Sequence, residues 1–462
     1  MKSILWKEWS KAFSELRGAF SRTSTFLWAA ILCVGMATRT DLRGLSSIVD
    51  ILGLKSAAYY SLLRVCHSDA LDLDRLRELW VKLCLKIFSP VCVDGYLVLL
   101  GDGIKVAKEG KKMPAVKLMH QESQSNSKAE YIMGHFLQSI SLVVSSPLGK
   151  LAAIPIVARI HDGIVYSNRS KQTVIHRFAG LVDKIANDAG LQAIIVADAY
   201  YAVKSMIFES AKIGLVLVSR VQHNCSAHYP ALPPKVKQRG RPARKGERVK
   251  LKSFFRRFDK IATNYGDYRY YCINLYWESA RGLVRFVLVE HKNKGCAIYL
   301  TTKLDLSPTT VIDLYATRWL IETGFKQAVS VIGTFAYHFW MKEMDPIRRG
   351  VTKQYMHRKP AEYRRQVSRK LKAFHAHIAF GCVVQGLALH LSLNFRSQVW
   401  ASFNGWLRTF NKTQEPSELV VANALRSTLP IYLGAGKNVA AWAKFMLEKI
   451  EPAREGPLMR VA

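Results

Sequence analysis

Two short apolar runs each end in an aspartate: Leu97-Val-Leu-Leu-Gly-Asp102 and Ala193-Ile-Ile-Val-Ala-Asp198. Short continuous apolar runs bounded by turn residues read as strands. An acid closing such a run tends to lie at the carboxyl edge of a sheet rather than in its core. Glycine stands on both sides of Asp102, which leaves that carboxylate open to a ligand. The pattern therefore asks for a sheet and puts chemistry at its rim.

The order of elements around these runs narrows the architecture. Residues 1–92 carry apolar side chains at helical spacing with almost no β-branched runs. Within them, 41–64 places two short amphipathic segments either side of Gly53, with Ser56 able to cap the second and Tyr59, Tyr60 and Arg64 able to face DNA. A helix-turn-helix and an ordinary helical hairpin both fit. From residue 94 the texture changes to strands over 96–100, 139–144 and 151–160, followed by a helix over 172–189, the strand ending at Asp198, a helix over 204–212 and a strand over 215–219. Three strands, then helix, strand, helix, strand is the order of a ribonuclease-H-like α/β core, which by itself carries no function. The segment 235–260 holds 12 lysines and arginines against Glu247 and Asp259 and includes Arg239-Gly-Arg241-Pro. Such arginines can enter a narrow A·T minor groove, or belong to a solvated basic loop that touches phosphate.

A β-rich stretch follows over 268–302 with a turn at Asn293-Lys-Gly295, and Ser307-Pro308 then opens a helix expected to reach Val331. The rest is mostly helical, with a basic segment over 348–372 and an apolar helix over 373–393. The expected organisation is a helical N-terminal DNA-binding region (1–92), the first part of an α/β core (93–222), a basic β-rich insertion (223–304), a helix completing the core (305–340) and a helical C-terminal region (341–462).

Charge selects the class of partner. The 462 residues include 68 lysines and arginines against 34 acids, a formal charge of +34. Self-repulsion of that size is relieved by a polyanion, nucleic acid first and an anionic membrane surface second. The eight cysteines form no CxxC and no metal-type Cys/His spacing, as expected of reduced thiols in a cytosolic protein. The longest uninterrupted apolar stretch, 26–37, has 12 residues, short of the ~20 a membrane-spanning helix needs. Glu8 and Glu15 upstream of it, and the lack of a disulfide framework after it, argue against a secretory signal, so it reads as a buried helix.

A third acid, Glu322, sits mid-helix in Tyr315-Ala-Thr-Arg-Trp-Leu-Ile-Glu322. Three acids from three elements can hold two divalent cations ~3.5–4 Å apart, the arrangement that in-line phosphoryl displacement uses. On a regular helix Tyr315, Arg318, Glu322 and Lys326 fall within roughly an 80° stripe. Arg318 and Glu322 alone are also an ordinary i,i+4 ion pair. The tyrosine and the two strand-end aspartates are what turn the balance toward a site.

The segment Y-x2-R-x3-E, preceded by Leu-Ser-Pro, resembles the signature of insertion-sequence DDE transposases with a β-strand insertion in a ribonuclease-H-like core. The resemblance spans about residues 94–340 and includes the basic Gly-Arg-Pro segment. It implies that Asp102, Asp198 and Glu322 are the metal-binding catalytic triad, with Asp94 the alternative first aspartate. It implies that Tyr315 and Arg318 engage DNA phosphates near the cleaved end. The family pattern places a lysine seven residues after the glutamate, where this chain has Val329; Lys326, one turn after Glu322, can serve instead.

The implied activity is metal-dependent cleavage at element ends followed by strand transfer, with two Mg²⁺ ions for which Mn²⁺ can substitute. Arg318 and nearby lysines such as Lys105 and Lys108 would stabilise charge on phosphate oxygens. Trp319 could stack on an unpaired base, although a buried tryptophan is the more ordinary outcome, and His135 and His338 read as structural. The expected partners are double-stranded DNA, both element ends and target, and a second copy of the chain in a homodimer on DNA. No membrane partner is expected, and the implied location is the bacterial cytoplasm beside the nucleoid. A catalytically inactive DNA-binding descendant is the alternative. A basic RNA- or membrane-associated protein finds no supporting motif.

Overall fold

The computed structural model describes residues 3–42, 44–121, 129–231, 243–409 and 411–453. The two apolar runs that end in Asp102 and Asp198 form adjoining strands of one of two compact units. This sheet unit comprises Val91–Asp102 and Gln172–Ile321; the helical unit comprises Met1–Pro90, Gly103–Lys171 and Glu322–Ala462.

In the sheet unit, the strand Tyr96–Ala107 contributes its first half and pairs in parallel with Ala193–Ala197, Leu97 opposite Ala193 through Gly101 opposite Ala197. The latter pairs in parallel with Val216–Val221. Parallel strands are buried on both faces, which is why Val98, Leu99, Leu100, Ile194, Ile195 and Val196 form continuous runs and have no exposed surface. The helix Val174–Ala189 is fixed at both ends: Thr173 and His176 form a reciprocal capping box, and Gly190 closes it at φ 67°. Its buried Ile175, Phe178, Leu181, Val182 and Ile185 are the periodic apolar positions visible in the sequence.

Beyond Val216–Val221 the sheet turns antiparallel. Gly295–Thr301 pairs with it, followed by Gly282–His291, Tyr268–Trp277, Ser226–Pro230 and Lys245–Lys250. The β-rich stretch thus extends the same sheet. Gly295 sits at φ 74°, the left-handed conformation that the Asn293-Lys-Gly295 turn requires. The unit is mixed α/β, with parallel and antiparallel strands in one sheet.

In the helical unit, Thr23–Thr38 is buried along its whole second half, so the 12-residue apolar run is a core helix. Trp6, Trp9, Tyr432 and Trp442 pack as one aromatic cluster, with the Trp6 indole donating to the Leu425 carbonyl at 3.0 Å. The helix Ala361–Asn394 is long and apolar enough to cross a membrane, yet 83% of its apolar stretch is buried inside the protein. Gly386 shows how tightly: a Cβ there would lie 2.2 Å from the Trp80 ring. The strands Tyr131–Ser145 and Leu151–Ile160 form a hairpin in this unit, shifted in register between Ile140 and Ser141.

Two local expectations are corrected. The helices Ser46–Ile51 and Ala58–His67 flank Gly53 as expected, but the second is led by Ala57 and has no side-chain cap, so Ser56 does not cap it. The helix opened by Ser307 and Pro308 ends at Ala316 and resumes over Trp319–Gln327. Between them the backbone tightens: Thr317, Arg318, Leu320 and Ile321 each donate to the carbonyl three residues back.

Candidate active site

Register alone brings two acids together. Gly101 opposes Ala197 in the parallel pair, so Asp102 and Asp198 come next along neighbouring strands; Asp198 follows the last residue of its strand, whereas Asp102, expected to follow one, lies within the longer strand Tyr96–Ala107, just beyond its last pairing with Ala193–Ala197. Adjacent strands lie ~4.8 Å apart, which makes the two carboxylates direct neighbours along the rim. Asp198 is oriented locally: its Oδ1 accepts from the Tyr200 amide at 3.1 Å, and its carbonyl accepts from the Ser219 hydroxyl at 2.7 Å. The short turn after it carries buried Tyr201 onto Phe178, with ring centroids 4.4 Å apart, while Tyr200 stays exposed.

The glycines around Asp102 have a different cause from the one expected. A Cβ on Gly101 would stand 2.3 Å from the Phe178 ring, and one on Gly103 would stand 2.8 Å from the Phe136 ring. They are small because rings press on the strand, and ligand access is not what demands them.

Arg318 reaches back to this rim. Its Nη1 donates to Asp102 Oδ2 at 3.0 Å, with side chains only 23% and 15% exposed. A charge-assisted bond this far out of water is stronger than a surface pair. The tightened backbone has a geometric effect: at i→i−3 spacing Tyr315 and Arg318 nearly eclipse, so both address the same side. Tyr315 stacks on Tyr299 at 4.4 Å and 28°. Burial raises the Tyr315 phenol above its usual range; Arg318 and Arg220 oppose the rise, and Asp198 and Asp102 add to it. The phenol therefore feels both aspartates and both arginines.

Arg220 and Tyr299 escaped the sequence reading. They oppose each other in the antiparallel register, and burial pushes the Tyr299 phenol up to about 12, with Tyr315 and Tyr268 adding and Arg220 opposing. The signal for Arg220 was the one that found Asp198: a charged residue closing an apolar run, Val216-Leu-Val-Ser-Arg220. Asp94, the alternative first aspartate, occupies a turn at φ 49° and lies 3.7 Å from Lys303.

Glu322 and Lys326 belong to the helical unit and are exposed on the helix Trp319–Gln327. Among the described residues no group of three or more His, Cys, Asp or Glu side chains is gathered closely enough to hold a metal ion. Asp102 and Asp198 together still supply the hard oxygen ligands that divalent cations of the magnesium class prefer.

Other expectations change. Trp319 is 59% exposed rather than buried. Lys105 donates to the His120 carbonyl at 2.8 Å. Lys108 is a core residue: it bonds to the carbonyls of Phe335 and Tyr337, lies 3.8 Å from the centre of the Tyr337 ring, and burial lowers its pKa to about 7. It is therefore not a phosphate ligand. His135 is fully buried between the Tyr337 hydroxyl and the Pro114 carbonyl. Val329 is half exposed in the π-helical turn Ala328–Ile332. Arg239 and Arg241 lie outside the described residues.

A search of curated proteins finds no match to the chain. Residues 15–260, just over half of it, match the family described as DDE superfamily endonuclease. The matched segment contains Asp102 and Asp198 and ends before Tyr315, Arg318 and Glu322. With two carboxylates next to each other in register on adjacent strands and a matched segment that spans them both, the chain belongs to the DDE superfamily endonuclease family.

Proposed function

We propose that this endonuclease is a DNA transposase with a ribonuclease-H-like core, which binds element ends, cleaves a phosphodiester there and joins the freed end to target DNA. The observation that carries the reading is the rim pair Asp102 and Asp198, with Arg318 bonded to the first and Tyr315 within electrostatic reach of both. Asp102 and Asp198 would hold Mg²⁺, or Mn²⁺ in its place, with Glu322 the third ligand and a second ion as the family resemblance implies. Such ions supply activation of water and neutralisation of charge on the scissile phosphate.

The chain's own side chains position the DNA. The Arg318 guanidinium carries five donors in a rigid fork, enough to serve Asp102 and a phosphate oxygen together. The Tyr315 phenol, kept neutral by burial, donates to phosphate, and Lys326 adds charge one helical turn beyond Glu322. Water attacks phosphorus, the P–O3′ bond breaks and a 3′-hydroxyl is freed. That hydroxyl then attacks a target phosphodiester and expels the target strand's 3′-oxygen. Neither step requires a covalent bond to the protein. Arg239 and Arg241 read the minor groove of the bound end, and two copies of the chain bring two ends together. The bacterial cytoplasm beside the nucleoid is where such an activity belongs.

One observation favours a second reading, a DNA-binding descendant without activity: Val329 stands where the resemblance puts a lysine. A nicking assay separates the two. Duplexes taken from the sequence flanking the gene are incubated with Mg²⁺ or with EDTA. Cleavage by the wild-type chain that needs Mg²⁺ and disappears in Asp198→Ala supports the transposase; binding with no cleavage by any form supports the descendant.

A further inference from the structure

Residues 348–372 hold ten lysines and arginines and one acid, Glu362. A run of this kind usually floats as a loop, but here it is fastened to the helical unit. The Ile347 amide donates to the Lys111 carbonyl at 2.7 Å, the Leu118 amide to Val351 at 2.7 Å, and the Gln354 amide to Gly163 at 2.9 Å. Gln354 and Tyr355 form a parallel bridge with Ile164 and Val165, and the buried Gln354 side chain bonds to the Ala115 amide and the Val116 carbonyl. Downstream, the Tyr166 hydroxyl meets Ser368 at 3.3 Å, and Lys372 pairs with Asp69 at 3.2 Å.

Fixing so many like charges on one surface is unfavourable unless something answers them. The protein answers three: Lys359 with Asp345, Arg365 with Glu362, and Lys372 with Asp69. Among the described residues Arg348, Arg349, Lys353, Arg358, Arg364 and Arg369 are exposed and make no ion pair. On the helix, Arg364, Arg365, Arg369 and Lys372 span roughly 140° of the circumference, opposite the side that holds Val367, Lys370 and Phe374. Five of these six cations are arginines, the side chain whose planar fork matches phosphate. A lipid surface would require an apolar stripe beside the charge, and this helix turns its apolar side into the protein.

We propose that residues 348–372 of the helical unit form a docking strip for the phosphate backbone of duplex DNA, built from none of the rim residues and indifferent to base sequence. The inference rests on the reading that this chain acts on DNA. It assigns a place and a mode to part of the binding: phosphates are neutralised by arginines standing on a hydrogen-bonded platform, so that affinity is set by counterion release.

The test is fluorescence anisotropy of the full chain on a labelled random-sequence duplex, titrated over salt. The triple variant Arg358→Gln, Arg364→Gln, Arg369→Gln should make the plot of log K against log salt shallower by ~0.9 for each phosphate no longer neutralised, about 2.7 for three. Circular dichroism should report an unchanged fold. A control variant, Lys7→Gln, Lys11→Gln, Arg22→Gln, removes three exposed charges elsewhere in the same unit and should leave the slope near wild type. Equal slopes for wild type and strip variant, or equal losses in strip and control variants, overturn the proposal. So does strip-dependent binding to phosphatidylserine vesicles without strip-dependent binding to DNA. A wild-type chain that binds through the strip but never cleaves leaves this inference standing and removes the transposase reading; normal cleavage with an unchanged slope in the strip variant does the reverse.

Discussion

Arg318 donates to Asp102 across 216 positions of sequence, at 3.0 Å and largely out of water. The bond ties the tightened turn between two helices to the middle of the strand Tyr96–Ala107. Removing one partner of a shielded charged pair leaves the other uncompensated, at a cost of ~1–3 kcal/mol or more. Arg318→Ala should therefore lower the unfolding temperature as well as cleavage. Arg318→Lys keeps the charge but loses the fork, and its cleavage rate should fall about tenfold or more with a smaller loss of stability. Thermal unfolding and single-turnover cleavage, run on both variants, check this; equal rates in Arg318→Lys and wild type would remove the arginine from the site.

The rim pair should behave as metal ligands and contribute little to DNA affinity. Asp198→Ala and Asp102→Asn should each abolish Mg²⁺-dependent cleavage while DNA affinity stays within a few-fold. Unchanged cleavage in either variant takes that residue out of the site.

Gly101 is held small by Phe178. Gly101→Ala forces a Cβ into the ring and should cost ~1–3 kcal/mol by overpacking, with cleavage impaired because Asp102 is the next residue. Adding Phe178→Leu makes room and should recover part of the stability in urea melts. A single variant as stable as wild type would show that the ring yields freely.

Tyr299 and Tyr315 stack beside the aspartates, a contact worth ~0.5–1.5 kcal/mol beyond burial. Tyr299→Phe keeps the stack and should cleave normally, while Tyr299→Ala should lose stability and weaken cleavage together. The raised phenol has a pH consequence. The folded state holds the Tyr299 proton up to about 12 whereas the unfolded chain releases it near 10, so this contribution to stability is lost as pH rises through that window. Tyr299→Phe should flatten the stability profile there.

Lys108 titrates in the opposite sense. Buried, its pKa is about 7, whereas the unfolded chain keeps its proton to about 10.5. Between those values the unfolded state binds more protons, so stability rises with pH, and below pH 7 the whole penalty of a buried charge is present. Lys108→Met should abolish that rise. Denaturant melts at pH 7 and pH 9.5 measure it; an equal rise in the variant would assign the effect to other groups.

The sequence by itself determined the apolar runs, the acids that close them, the periodic apolar face of the helix Val174–Ala189, the hairpin turn at Gly295 and the basic excess. Each depends on neighbours a few residues away, where period, turn chemistry and charge act locally. It also carried the family resemblance through Asp102, Asp198 and the Tyr315–Glu322 segment. Tertiary structure decided the rest. Only strand register makes Asp102 and Asp198 neighbours, and only the order of the antiparallel strands puts Arg220 opposite Tyr299. Phe178 explains Gly101, a contact between residues far apart in sequence. Lys108 and Trp319 were misjudged for the same reason: whether a lysine is solvated or a tryptophan buried depends on which surfaces the rest of the chain brings to it, and no local pattern encodes that.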